Sequence, residues 1–303
     1  MAEKTDHQKE IIKLIKQAAY DKGEYQVFND FLEMASISIS NTVDFTHREE
    51  REQRYLNIIN SYDKKHQPLF PEMLANLVEA LEEKAQTSGP EDVLGPIFNE
   101  LELYNRYKGQ FFTPQHISDM MAFIACGDDK QADIQEKGFL SMCEPTCGSG
   151  VMVTSFCKAM TKEGLDYCTQ LVVTAIDVDL KCAHMTYLQL ALYGVPAVVI
   201  HGNSLTCEEW SRWYTPIYLM NGWIWRQSCV LTNRRSIEDE KIKCALEPTY
   251  AALMQVQSLT ATPPESEASP VKSAASAAKD TASDNEPDAA FTANQAVEQL
   301  TLF

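Results

Sequence analysis

Apolar residues in the first hundred positions of the chain recur at helical spacing. Ile11, Leu14, Ile15 and Ala18 form one set, and Phe28, Phe31, Leu32 and Ala35 a second. Tyr55, Ile58, Ile59 and Tyr62 follow, then Leu74, Leu77, Val78 and Leu81, then Leu94, Ile97, Phe98 and Leu101. Each set steps through i, i+3, i+4 and i+7, which stacks its side chains along one face of a helix. Five such stripes in succession predict a helical region over residues 1–104, with the stripes serving as packing. The charged run His47–Arg54 reads as a solvated face.

The pattern changes between about residues 138 and 203. Phe139–Cys143, Leu171–Ile176 and Ala197–Ile200 are short apolar runs, the last two rich in β-branched residues, and each is short enough for a buried strand. Between them, Val151–Lys162 and Leu180–Tyr193 keep helical spacing. Strand, helix, strand, helix, strand predicts a parallel sheet with crossover helices, an α/β domain set over residues 105–258. Such sheets hold ligands at the carboxyl ends of their strands. All four tryptophans then fall between Glu208 and Gln227, where the pattern predicts no element. Residues 259–298 are Ala, Ser, Pro, Thr, Asp and Glu with almost no apolar bulk. A segment of that composition cannot offset its ordering entropy and reads as a disordered linker. Residues 299–303, QLTLF, are abruptly apolar again.

Charge narrows the partners. The 303 residues carry 26 Lys and Arg against 43 Asp and Glu, a net charge of -17, and none of the regions 1–100, 101–227, 228–250 and 251–303 is net basic. Gripping nucleic acid by electrostatics alone needs clustered cations, so a nucleic-acid enzyme of this composition would depend on a partner for delivery. The nine cysteines are odd in number and include no C-x-x-C pair, which supports neither a disulfide framework nor a zinc ribbon. His116, His184 and His201 do not fall at metal-ligand spacing, and no metal is assigned. The first ten residues are too polar for a signal peptide, and no apolar run approaches the ~18 residues of a membrane helix. A cytoplasmic protein is expected.

The candidate chemistry sits at strand ends. Glu144-Pro145-Thr146-Cys147-Gly148-Ser149-Gly150 follows the first predicted strand and opens a helix. Glycines there let backbone approach a ligand without a Cβ clash, beside the free N–H groups of the helix start. Asp177 closes the next strand, where a carboxylate can accept both hydroxyls of a ribose. Gly202-Asn203-Ser204-Leu205 closes the third. Cys147 could be a nucleophile by residue type, but within this loop it reads as a small packing residue.

Gly109-Gln110-Phe111-Phe112-Thr113-Pro114, then Glu144–Gly150, then Ala175–Asp179, then Gly202–Leu205 resemble the methylation subunits of type I restriction-modification systems, which belong to the N-6 adenine-specific DNA methyltransferases. The resemblance covers roughly residues 1–205. It implies a Rossmann-like class I fold, S-adenosylmethionine as cofactor, DNA as substrate and a specificity subunit as partner. By the same resemblance Phe112 and Thr113 line the methionine end of the cofactor, and Glu144 meets its amino group in place of the usual Asp. Gly148 and Gly150 shape the loop beneath the sugar, Asp177 holds the ribose, and Asn203 faces the adenine.

The family's N-P-P-[FY] motif, whose Asn binds the target amino group and whose aromatic ring stacks on a flipped base, is missing. Two remnants compete for its place. Thr215-Pro216-Ile217-Tyr218 keeps a proline and the aromatic Tyr218, without Asn and without an evident strand before it. Val230-Leu231-Thr232-Asn233-Arg234-Arg235 keeps a strand-like lead and Asn233, with arginines where prolines belong. The alternative function is therefore a catalytically silent, cofactor-binding homologue acting as a DNA-associated or anti-restriction adaptor. The terminal QLTLF resembles the peptide by which bacterial proteins bind the DNA polymerase sliding clamp. Gln299 would bond at the pocket rim and Leu300 would complete the motif, while Leu302 and Phe303 would anchor in an apolar pocket.

Overall fold

Helical stripes and strands form where the pattern predicts them. The computed structural model describes residues 5–101, 112–127 and 130–226. The helical region comprises α1 (His7–Ala18), α2 (Glu24–Ser40), α3 (Arg48–Ile59), α4 (Leu69–Thr87) and α5 (Leu94–Glu100). Asp6 caps α1 by accepting from the Lys9 amide. Of the predicted apolar stripes, those of α1, α2 and α5 are buried throughout, whereas Val78 on α4 faces outward. Then come α6 (Gln115–Ala125), α7 (Lys130–Lys137), β1 (Leu140–Glu144), α8 (Val151–Lys162), α9 (Tyr167–Gln170) and β2 (Leu171–Asp177). The chain continues through α10 (Leu180–Leu192), β3 (Ala197–Asn203), β4 (Glu208–Tyr214) and α11 (Pro216–Met220).

The four strands order as β1-β2-β3-β4. The first three run parallel and β4 returns antiparallel to β3. Parallel crossovers are right-handed, and here both step in the same direction across the sheet, so α8 and α10 fall on one face. The strand residues divide at a period of two. Leu171, Val173, Ala175, Ala197 and Val199 join α8, α10 and the five N-terminal helices in one continuous core. Val172, Ile176, Val198 and Ile200 face the other way, under Phe139, Tyr218 and Trp223. The helical region is thus a third layer stacked mainly on α10, and its own core is not separate from that of the sheet.

Two expectations need correction. The run His47–Arg54 is not simply a solvated face, because Arg51 is buried. Its Nη1 donates to Ser40 Oγ at 2.5 Å and to Asp44 Oδ2 at 2.8 Å. Its Nη2 donates to the Arg212 carbonyl at 2.8 Å, and the guanidinium lies 4.0 Å over the Trp213 ring. A charge pattern alone does not distinguish an arginine that reaches inward to a distant strand. The second correction is β4 itself, which directly precedes Thr215. Only Trp213 of its seven residues is buried, so no apolar alternation announces it. Arg51 and Trp213 between them tie the helical layer to this edge strand. The edge of the His184 ring also meets Trp213, at 4.7 Å, and burial pushes that imidazole down to about 3, so it is neutral near pH 7.

Replacing Arg51 with Ala would leave the buried Asp44 carboxylate with only the half-exposed His47 as a cationic partner. Breaking a fully buried pair costs roughly 3–5 kcal/mol, and the remaining His47 contact offsets part of that loss. Burial raises the Asp44 carboxyl, but His47 and Arg51 outweigh it and hold the group below its ordinary value. A depressed carboxyl contributes stability that is present above about pH 4 and lost as pH falls through its folded value. Urea unfolding should therefore show a large loss for Arg51→Ala at pH 7, and the gap to wild type should narrow below about pH 4.

Candidate functional site

The loop between β1 and α8 is fixed from three sides. The Cys147 amide donates to the Ile176 carbonyl at 2.8 Å, which ties the loop to the end of β2. The Gly148 amide donates to Asp177 Oδ2 at 2.9 Å, while Asp177 Oδ1 accepts from the Asp179 amide at 2.9 Å. From α10, Thr186 Oγ1 donates to the Gly148 carbonyl at 3.1 Å. Gly148 and Gly150 have φ of 56° and 93°, values that disfavour any side chain. A Cβ on Gly148 would meet the Phe112 ring at 3.1 Å, and one on Gly150 would meet Thr186 Oγ1 at 3.1 Å.

The predicted cofactor residues gather here in large part. Phe112 lies against Gly148 and 5.2 Å from the Phe98 ring, so α5 and the loop sandwich it. Thr113 is exposed next to it, at the entry to α6. Glu144 ends β1 half-buried and accepts from the Thr146 amide at 3.3 Å. Asp177 is half-buried at the end of β2, and burial raises its carboxyl while the Asp179 and Gly148 amides pull the other way. Each of its oxygens holds one backbone N–H and retains a second lone pair. Asn203 lies two residues beyond His201, the cross-strand partner of Asp177. Its Oδ1 accepts from the Leu205 and Thr206 amides at 3.0 and 3.4 Å, leaving its NH2 for other partners.

Tyr218 does not join them. Because β4 runs antiparallel, Tyr214 pairs with Val198 and the Thr215 amide bonds the Ala197 carbonyl, so α11 begins at the amino end of β3. The seven-residue length of β3 separates that end from Asn203, roughly 20 Å at strand rise. Tyr218 is buried and stacks on Tyr214 at 5.6 Å between ring centres. Asn233, Gln299, Leu300, Leu302 and Phe303 lie outside the described residues.

A buried polar junction beneath the loop escaped the sequence reading. Asp92, just before α5, accepts from Ser149 Oγ, from the Gly95 amide at 2.9 Å and from Gln189 Nε2 at 3.0 Å. Gln189 Nε2 also reaches the Ser149 carbonyl at 2.6 Å, and Gln189 Oε1 accepts from the Val93 amide at 2.7 Å. Burial raises the Asp92 carboxyl, against the pull of its three donors. Beside it, Lys158 of α8 pairs with Glu91 at 2.7 Å and Asp119 of α6 at 2.8 Å. Gln115 links the two groups, with Oε1 taking the Asp92 amide and Nε2 donating to Asp119 and Ser155. The available signal was Gln189, set between Leu188 and Leu190 in the apolar second half of α10.

This constellation is the loop-and-acid end of a Rossmann-like sheet. The sequence pattern of the N-6 DNA Methylase family matches residues 91–256, more than half of the chain, and the chain belongs to that family. Among solved structures it is similar to a Listeria monocytogenes protein assigned to the class I S-adenosylmethionine-dependent methyltransferases, at 14% identity and TM-score 0.36. That match covers 63% of this chain and 52% of the other. It is also similar to the methyltransferase subunit of a type I restriction-modification system from Streptococcus thermophilus, at 12% identity and TM-score 0.28, over 62% and 57% of the two chains. The chain thus spans little more than half the length of either. A search of the curated proteins finds no match. Among the described residues no helix is long and apolar enough to cross a membrane.

Cys147 is buried and its thiol is pushed well above the ordinary range, first by burial and then by the Asp177 carboxylate. Native protein treated with iodoacetamide should leave Cys147 unlabelled until it unfolds, while exposed Cys207 reacts. Peptide mass mapping that found Cys147 modified in the folded protein would restore it as a nucleophile.

Proposed function

We propose that the chain is an S-adenosylmethionine-dependent DNA adenine N6-methyltransferase of the restriction-modification type. The observation that carries this reading is the clamp of the Gly148 amide on Asp177, with Phe112 closed against the loop. The residues suit such a cofactor. Two carboxylates, Glu144 and Asp177, stand at adjacent strand ends with acceptor capacity for an amino group and for ribose hydroxyls. Phe112 and Thr113 line the methionine end, and the left-handed Gly148 and Gly150 keep the loop free of Cβ atoms. The Asn203 amide faces the adenine. The bound cofactor would supply the activated methyl group. Of the two remnants competing for the place of the N-P-P-[FY] motif, the one with Asn233 remains the better, since Tyr218 stands at the opposite end of the sheet.

DNA and a specificity subunit are the proposed partners, which suits a chain without net basic regions. Titration of the protein with S-adenosylmethionine, followed by tritiated-methyl transfer to DNA, tests the reading. Asp177→Ala should weaken binding by at least about fivefold, since each lost hydrogen bond contributes ~0.5–1.5 kcal/mol. Equal affinity in wild type and variant, both folded, would refute the ribose role. Binding without any transfer, even with a specificity subunit added, would favour the silent adaptor.

The terminal Gln299–Phe303 peptide is proposed to dock the chain on a bacterial sliding clamp, on its sequence alone. If residues 259–298 form the linker their composition predicts, its 40 residues would span roughly 35 Å, enough to let the enzyme reach nearby DNA at raised local concentration. Changing Leu302 and Phe303 to Ala should abolish retention on a clamp column and leave cofactor affinity unchanged. Unaltered retention would show the peptide to be a coincidence.

A further inference from the structure

The junction at Asp92 does more than fill space. Its carboxylate belongs to the helical region, yet two of its three donors lie elsewhere: Ser149 within the glycine loop and Gln189 on α10. Gln189 in turn grips the Ser149 carbonyl, so both the side chain and the backbone of that loop residue are held. The next loop residues on either side are Gly148, bonded to Asp177, and Gly150, packed against Thr186. Gly95 closes the junction sterically, since a Cβ there would overlap Asp92 Oδ2 and come within 2.9 Å of Ser149 Oγ. A side chain of any size at 95 would push the carboxylate off the loop.

We infer that Asp92 is a positioning residue: through Ser149 and Gln189 it sets the shape of the glycine loop, so that docking of the N-terminal helical region governs affinity for the cofactor. This rests on the reading of that loop as the S-adenosylmethionine site. Asp92 itself does not touch the ligand. Its effect passes through Ser149 to the Gly148 amide and so to the Asp177 carboxylate. Without the carboxylate, the Ser149 hydroxyl and the Gln189 amide lose their common acceptor, and the loop between two left-handed glycines is free to re-form.

The test uses the full chain and two readouts, hydrogen exchange of the loop amides without ligand and calorimetric titration with S-adenosylmethionine. Asp92→Ala should speed exchange at residues 148–151 and weaken cofactor binding roughly tenfold, the change produced by losing one hydrogen bond to a charged group. Asp92→Asn, which keeps the shape and an acceptor, should recover most of that affinity. Ser149→Ala should reproduce a smaller part of the defect, and adding Asp92→Ala to it should cost less than in wild type, as for coupled residues. Leu77→Ala, a cavity in the fully buried core of α4, serves as the control for stability. It should lower the melting temperature while leaving cofactor affinity within about twofold. The inference is overturned if Asp92→Ala leaves loop exchange or affinity unchanged, or if affinity simply tracks melting temperature across all the variants. Wild type that fails to bind S-adenosylmethionine, with loop exchange still responding to Asp92→Ala, would instead overturn the cofactor reading and this inference with it.

Discussion

A carboxylate removed from water must find its donors inside the protein, and Asp92 finds them on three different elements. That requirement organises the molecule. The α5 turn supplies the Gly95 amide, the glycine loop supplies the Ser149 hydroxyl and α10 supplies the Gln189 amide. None of the three can shift far without leaving a buried polar group unpaired, which costs about 1–3 kcal/mol. Lys158, Glu91, Asp119 and Gln115 extend the same lattice outward to α6 and α8. The loop geometry and the attachment of the helical layer are one structural fact.

A second tether stands at the other side of the molecule and is built differently. Arg51 reaches from α3 to the backbone of β4 and lies flat on Trp213, combining a buried ion pair with a cation–π contact. The Asp92 junction binds the helical layer to the glycine loop at the carboxyl end of β1, and Arg51 binds it to the edge strand. Between them runs a continuous apolar core, from Ile11 and Leu77 through Tyr187 to Val199. The crossover helices cover one face of the sheet, and the helical layer packs against the outer side of α10.

Much of this was legible from residue pattern. The 3.6-residue period found the N-terminal helices, and α8 begins and ends where its spacing said, because burial of one face is what both the pattern and the packing record. The places of Glu144 and Asp177 at strand ends, and of Gly148 and Gly150 in the turn, were legible because strand ends and left-handed turns constrain residue type. β4 was not, since an edge strand with one buried residue has no alternation to read. Nor was the inward turn of Arg51, whose partners lie 7, 11 and 161 residues away. Asp92 and Gln189, 97 residues apart, become a pair only when the chain folds. Buried polar networks are written in three dimensions, and a single sequence shows only their separate members.

The same long separations bear on how the protein reaches its folded state. Helices α1 to α5 can form locally, but the surface they present is completed only by α10, and the Asp92 junction closes only after residue 189 has been made. During synthesis the first hundred residues would hold an unfinished apolar face while the sheet is still absent. Contacts of that sequence distance must meet their loop-closure entropy before they return any stability, which slows folding. A chain built this way is a candidate for chaperone attention, because the step that finishes its core is also the step that shapes its glycine loop.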